Sequence, residues 1–137
     1  MSEIETGDSL APAPADILII DDDDDLARIL EHRLRREGFV TLRAKDGQEG
    51  LNLLMQGPLP KLVTLDVMMP YINGFDVLRA IRARAETRML PVLLLTSMAR
   101  EQDVLRGLRG GATEYLTKPF KPGELVARVR RLLDKAN

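Results

Sequence analysis

Acidic, hydroxyl and basic side chains recur in this chain directly after short apolar runs. Five consecutive aspartates, Asp21 to Asp25, follow the first run, and a single aspartate, Asp66, follows the third. Thr96 ends the fourth run, and Lys118 follows the fifth. A carboxylate can hold a cation or attack phosphorus, a hydroxyl can hydrogen-bond phosphoryl oxygens, and an ammonium group can neutralise developing negative charge. These residue types together indicate metal-assisted phosphoryl chemistry.

The five apolar runs predict β-strands, and the stretches between them predict helices. The runs are short and rich in branched residues, whereas the intervening apolar residues recur every three or four positions. The predicted strands are 17–20, 40–43, 62–65, 92–95 and 114–117, and the helices begin near Leu26, Gly47, Gly74, Arg100 and Pro122. The pattern predicts an α/β fold: a doubly wound, flavodoxin-like parallel sheet of five strands in the order 2-1-3-4-5, flanked by five helices.

Length and composition limit the classes of protein to consider. The chain has 137 residues, no cysteine and a net charge of -1, so we expect one domain over residues 16–137 without disulfides or a general attraction to nucleic acid or membrane. Residues 1–15, rich in alanine and proline, are predicted to form a flexible tail. No secretory signal or membrane-spanning run is evident in the sequence, which favours a cytoplasmic location.

The fold brings the polar residues together, because the carboxyl ends of parallel strands meet at one edge of the sheet. Asp21, Asp22 and Asp66 are expected to repel one another by about 1 to 4 kcal/mol per pair and so require positive charge. Lys118 supplies one charge and a metal ion supplies two. Oxygen ligands favour Mg²⁺, with Mn²⁺ or Ca²⁺ as substitutes. Asp66, on a different strand from the acidic pair, is the candidate nucleophile.

Each of these residues also has an ordinary structural interpretation. Asp23, Asp24 and Asp25 are expected to cap and flank a helix N-terminus. Taken singly, Thr96 could be a capping hydroxyl, Tyr115 a half-buried core residue and Lys118 a solvated loop charge. His32 is best interpreted as a surface residue of the first helix. The functional interpretation therefore depends on the residues occurring together.

Four motifs, in order, resemble those of the response-regulator receiver family of bacterial two-component signalling. They are Ile-Leu-Ile-Ile-Asp-Asp at 17–22, Leu-Asp-Val-Met-Met-Pro with Asn73-Gly74 at 65–74, Leu-Thr-Ser at 95–97 and Tyr-Leu-Thr-Lys-Pro-Phe at 115–120. The resemblance covers about residues 16–135. Within the family, the chain is most similar to receivers of winged-helix transcription regulators.

The resemblance implies roles for individual residues. Asp66 would accept phosphate from the phosphohistidine of a sensor histidine kinase or phosphotransfer protein. Asp22, Asp66 and the Met68 carbonyl would bind Mg²⁺ directly, and Asp21 largely through water. Thr96 and Lys118 would contact the phosphoryl oxygens, Tyr115 would move inward as a switch residue, and the Lys118-Pro119 peptide bond would be cis. The domain would be a phosphoacceptor that catalyses only its own phosphorylation and slow dephosphorylation, rather than an enzyme.

The resemblance also implies an output surface, formed by the fourth helix, fifth strand and fifth helix. It would control an output partner or a C-terminal effector domain, as a monomer or a phosphorylation-dependent dimer. Glu114 and Arg128 suit the family's dimer pattern, whereas Val104 and Arg109 do not. Direct nucleic-acid binding by this domain is not expected, because the basic residues of the last helix lack interleaved aromatics.

Three other classes of protein fit these residues less well. A flavin protein would need a phosphate-cradling loop where this chain has five acids. An aspartyl-phosphate phosphohydrolase would usually place a second acid near Asp66, but Val67 and Met68 follow it. A phosphate-independent interaction module would have no need of the acidic cluster.

Overall fold

The structure is a computed structural model that describes residues 14–136 and contains five strands alternating with five helices. The strands are β1 Ile17–Ile20, β2 Thr41–Ala44, β3 Leu62–Leu65, β4 Val92–Thr96 and β5 Glu114–Thr117. The helices are α1 Asp24–Arg36, α2 Gly47–Gln56, α3 Gly74–Ala83, α4 Glu101–Arg109 and α5 Pro122–Ala136. All strand pairs are parallel, in the order β2-β1-β3-β4-β5, which confirms the predicted doubly wound sheet. All but the last two residues of the predicted tail lie outside the described residues.

The boundaries of the elements lie close to those predicted. Strand β2 begins one residue later than expected, at Thr41, and β4 includes Thr96 at its end. Helix α1 begins two residues before Leu26, because Asp23 accepts a hydrogen bond from the Leu26 N–H and satisfies one of the free backbone donors there. Asp46 and Asn73 cap α2 and α3 in the same way. Short polar residues thus set the first turn of three helices.

Two hydrophobic cores lie on opposite faces of the sheet, because successive residues of a strand point to opposite sides. Leu18 and Ile20 of β1 join the core under α2 and α3, whereas Ile17 and Ile19 join the core under α1 and α5. All four residues of β1 and of β3 are buried. Within the part of the chain described, no helix is both long and apolar enough to cross a membrane.

One prediction from the sequence is wrong. The spacing of Leu26, Ile29, Leu30 and Leu34 predicts one apolar face of the first helix, but the Ile29 side chain is 56% exposed. The buried residues of that helix are Ala27, Leu30 and Leu34, whose spacing of three and four defines a narrow stripe facing the sheet. Ile29 lies beside that stripe and faces solvent, because its position on the helix and not its apolar character decides its burial.

Arg82 of α3 joins two loops at the edge of the sheet opposite the strand ends that carry the aspartates. Its guanidinium donates hydrogen bonds to the carbonyls of Leu90 at 2.7 Å, Arg88 at 3.0 Å and Gly111 at 2.9 Å. Burial lowers the pKa of Arg82, because the charged form loses hydration that neutral carbonyls must replace. Arg82 therefore ties the α3–β4 loop to the residues that follow α4.

Replacing this arginine tests its contribution to stability. We expect Arg82→Met to lower the free energy of unfolding by about 2 to 3 kcal/mol, because it leaves several carbonyls without a charged donor. Arg79→Met on the same helix is the matched control, since Arg79 is exposed and, among residues 14–136, bonds only to Asp76; we expect a change of about 0.5 kcal/mol or less. Equal effects of the two substitutions in urea denaturation would contradict this assignment.

Candidate functional site

The acidic residues meet because β1 and β3 are neighbouring parallel strands in register. Ile20 pairs with Leu65, so Asp21 and Asp66 follow at the same edge of the sheet. The Asp66 N–H donates to the Ile20 carbonyl at 3.0 Å. One carboxylate oxygen from each of Asp21, Asp22 and Asp66 lies within 4.8 Å of the others. The three predicted acids therefore form one cluster.

Lys118 supplies the positive charge nearest to this cluster. Its ammonium lies 3.3 Å from an Asp21 oxygen and 3.4 Å from an Asp66 oxygen. Asp21 is 2% exposed and Asp66 7% exposed, whereas Asp22 is open to solvent. Burial raises the pKa of Asp21, an effect to which Asp66 adds and which Lys118 and the Asp23 N–H oppose. One lysine thus faces two buried carboxylates, so the side chains that the structure describes at this site do not balance its negative charge.

The donor set of this cluster fits a hard divalent cation. Its ligands are carboxylate oxygens without histidine or cysteine, and Mg²⁺ commonly takes one or two carboxylates and completes its octahedron with water or phosphate oxygens. The exposed side of Asp22 leaves room for such waters. Asp21, Asp22 and Asp66 are the residues that could hold the ion.

The loop after Asp66 is held against the strand end by close backbone contacts. The Met68 N–H donates to an Asp66 carboxylate oxygen at 3.2 Å, and the Gly74 N–H donates to the Val67 carbonyl at 2.8 Å. A Cβ atom at Gly74 would lie 2.3 Å from the Asp66 carbonyl oxygen, so only glycine permits this approach. The Asn73-Gly74 motif therefore has a structural reason: it fits the start of α3 against the phosphoacceptor candidate.

Arg43 was not identified from the sequence, yet it supports the acidic loop. Its guanidinium donates to the Asp21 carbonyl at 2.8 and 3.1 Å and pairs with Asp24 at 2.9 Å. The strand register carries part of this signal, because Arg43 pairs with Ile19, two residues before Asp21, and so lies near the start of the acidic loop. A lone arginine in a short strand offers no such hint without that register.

Thr96, at the end of β4, and Tyr115, within β5, both lie beside the cluster. Thr96 is fully buried, and its hydroxyl accepts a hydrogen bond from the Met98 N–H at 3.3 Å. The half-buried Tyr115 donates its hydroxyl to the Met98 carbonyl at 2.6 Å, and its ring packs against Gly107 of α4, where a Cβ atom would lie 2.9 Å from it. Burial, with the charges of Asp103 and Asp66, raises the pKa of Tyr115.

The remaining sequence assignments can also be placed. The Lys118-Pro119 peptide bond is cis. Asp23 is the N-cap of α1 and Asp24 and Asp25 lie in its first turn, as predicted. His32 is exposed on α1, which confirms it as a surface residue.

Comparisons with known proteins agree with this geometry. A family model for the response regulator receiver domain matches residues 17–130. The transcriptional regulatory protein CpxR of Escherichia coli is 44% identical over 121 residues, which cover 88% of this chain and 50% of CpxR. The DNA-binding response regulator MtrA of Mycobacterium leprae is 46% identical over 117 residues, covering 85% of this chain and 50% of MtrA. The chain thus spans about half the length of these curated relatives.

Solved structures give the same result. The chemotaxis protein CheY4 of Vibrio cholerae superposes with a TM-score of 0.81 at 30% identity, over 88% of this chain and 99% of CheY4. The receiver domain of Francisella response regulator 1452 superposes with a TM-score of 0.83 at 31% identity, over 90% of this chain and 99% of that domain. The chain belongs to the response regulator receiver family, the signalling domains of two-component systems.

The buried negative charge can be tested through stability. We expect Asp21→Asn, measured with a chelator present, to raise the free energy of unfolding by about 1 kcal/mol, because it removes a repulsive and poorly hydrated charge. Mg²⁺ should then stabilise the variant less than the unaltered protein, since a metal-binding group is lost.

Asp25→Asn is the matched control, because it removes the same charge from an exposed position in the same acidic run. We expect no gain in stability from it, since an acid in the first turn of a helix is favourable. Thermal unfolding with chelator and with Mg²⁺ measures both effects. A loss of stability in Asp21→Asn under chelation would contradict the argument.

Proposed function

We propose that Asp66 accepts a phosphoryl group from the phosphohistidine of a sensor histidine kinase or phosphotransfer protein. The observation that carries the proposal is the cluster of Asp21, Asp22 and Asp66 with Lys118 at the carboxyl ends of the strands. Two buried carboxylates that share one ammonium group destabilise the folded protein, so their presence calls for a functional explanation. Binding a divalent cation and a phosphoryl group supplies that reason.

In the proposed reaction an Asp66 carboxylate oxygen attacks the phosphorus of the phosphohistidine. A P–O bond forms, the P–N bond breaks, and the imidazole leaves with the electron pair and takes a proton. Asp22, Asp66 and the Met68 carbonyl would hold Mg²⁺ directly and Asp21 largely through water, and the ion would supply positive charge to the transferring oxygens. Lys118 would move its ion pair from the Asp66 carboxylate to a phosphoryl oxygen. The product is an aspartyl phosphate.

The proposed switch uses Thr96 and Tyr115. A phosphoryl group adds about -1.5 to -2 charges and three acceptor oxygens, and the Thr96 hydroxyl, which accepts from the Met98 N–H, can move to donate its own O–H to one of them. Tyr115, whose ring packs against Gly107, would then swing inward into the space that Thr96 vacates. Phosphate changes the output only to the extent that it stabilises this arrangement over others, and a shift from about 1:99 to 99:1 needs roughly 5.5 kcal/mol.

We infer that α4, β5 and α5 form the surface that controls an output partner or effector domain. On this surface Glu114 bonds within the chain to Arg128 at 2.8 Å and to Arg131 at 2.6 Å. A dimer that used Glu114 and Arg128 across its interface would have to exchange or share these bonds. This adds to the mismatch at Val104 and Arg109, so a monomeric output remains an alternative to a phosphorylation-dependent dimer.

The first test is the mass of the intact protein after incubation with phosphoramidate and Mg²⁺. We expect a single phosphoryl adduct on Asp66. Asp66→Asn removes the nucleophile and chelation removes the cation, so either should abolish the adduct. An intact, folded protein that binds Mg²⁺ but gains no adduct would favour the second candidate, a phosphate-independent interaction module.

The lifetime of the aspartyl phosphate should be long. By family resemblance, Met68 and Met98 occupy the positions that flank the approach of the hydrolytic water, and neither side chain can orient or activate it. Met68 is 60% exposed and its sulfur lies 3.9 Å from the Ser97 hydroxyl. We expect the double variant Met68→Asn, Met98→Glu to lose the phosphoryl group about tenfold faster or more. The mass of the adduct over time measures this decay. An unchanged decay rate in the double variant would contradict the assignment.

A further inference from the structure

Tyr71 combines complete exposure with a strained backbone, five residues after Asp66. Its side chain is 100% exposed, the highest value among the exposed large hydrophobic residues of the described chain. Its φ is 71°, and it is the one residue other than glycine with a positive φ among the residues that the structure describes. Tyrosine rarely adopts this conformation, because its Cβ atom crowds the neighbouring carbonyl. A smaller residue would serve a turn better.

The local hydrogen bonding identifies the turn. The Ile72 N–H donates to the Pro70 carbonyl at 2.8 Å, a bond that spans three residues centred on Tyr71. This bond, with positive φ at the central residue, is typical of the rarer of the two γ-turns, which is strained. Strained residues of this kind cost of order 1 to 3 kcal/mol and persist where the surrounding structure enforces them.

Both sides of the turn are anchored. Met69 is buried in the core, and Ile72 packs so closely on α2 that a Cβ atom at Gly47 would lie 2.6 Å from its Cγ2. The Gly74 N–H bonds to the Val67 carbonyl and closes the loop at its base. The loop therefore holds Tyr71 outward in one place instead of letting it fold onto the surface.

We propose that Tyr71 is a docking residue for the protein that carries the phosphohistidine, an assignment that rests on the proposed function of Asp66. Tyrosine and methionine are enriched in interfaces, because they bury a large apolar area at a modest entropic cost, and the exposed Met68 stands in the same loop. A small phosphodonor reaches Asp66 without needing Tyr71. A protein donor that covers the opening must meet the loop that presents it.

The experiment compares two donors on the same variants. The small donor is phosphoramidate, and the protein donor is a histidine-phosphorylated phosphotransfer domain, chosen beforehand for measurable transfer to the unaltered chain. We expect Tyr71→Ala to lower kcat/KM for transfer from the protein donor about tenfold or more, as truncation of a central interface tyrosine does, and to change the phosphoramidate rate less than about twofold. Tyr71→Phe, which keeps the ring, should retain most of the transfer.

Tyr71→Gly separates docking from folding. Glycine accepts positive φ without strain, so the thermal midpoint should not fall, whereas transfer from the protein donor should fall as in Tyr71→Ala. Met89→Ala is the matched control: Met89 is 87% exposed and lies in the α3–β4 loop, at the opposite edge of the sheet. We expect it to leave both rates unchanged.

The outcomes are distinguishable. The docking assignment would be overturned if Tyr71→Ala accepted phosphate from the protein donor at the unaltered rate. It would also be overturned if the variant lost the same factor with both donors, because the effect would then lie in the Asp66 pocket itself. Failure of the unaltered protein to take phosphate from phosphoramidate would instead overturn the proposed function on which the assignment rests.

Discussion

Repulsion between buried carboxylates is the constraint on which the site depends. Two strands of one sheet end in aspartate at the same edge, and the sheet leaves them no freedom to separate. Lys118 reaches both Asp21 and Asp66, but a single ammonium cannot balance two carboxylates and the nearby Asp22. The protein therefore holds an arrangement that is electrostatically incomplete by itself. A divalent cation that adds positive charge, or a phosphoryl group that converts a carboxylate to an acyl phosphate, would therefore meet carboxylates that the fold already holds in place.

Much of the surrounding architecture keeps these charges in place. Arg43 fixes the loop that carries Asp21 through its carbonyl, and so adds positive charge without using up a carboxylate oxygen of Asp21. Gly74 lets α3 begin against the Asp66 carbonyl. These contacts are to the backbone, so they leave one carboxylate oxygen of Asp21 and one of Asp66 to contact Lys118. Rigidity of the support and availability of the reacting atoms are thus provided by different groups.

The fold and the principal site residues were predictable because they follow from strand ends. Asp66 and Lys118 could be assigned to one edge as soon as the apolar runs were recognised as parallel strands. Residues that depend on packing were not predictable in this way. Ile29 is apolar but lies beside the narrow buried stripe of α1, and Arg43 matters only through a register that no local pattern reveals. Tyr71 has an ordinary sequence context, and only the backbone shows its strained turn.

The two ends of α4 are held unequally. Its N-terminus has no capping side chain, and Arg100 pairs within the first turn with Asp103 at 3.2 Å, whereas the residues just past its end are tied to the α3–β4 loop through Arg82 and Gly111. The anchored end of α4 lies at the edge of the sheet away from the aspartates, whereas its first turn lies near Thr96. If the surface of α4, β5 and α5 moves on phosphorylation, as we propose, the movement would begin at the first turn and leave the anchored end in place.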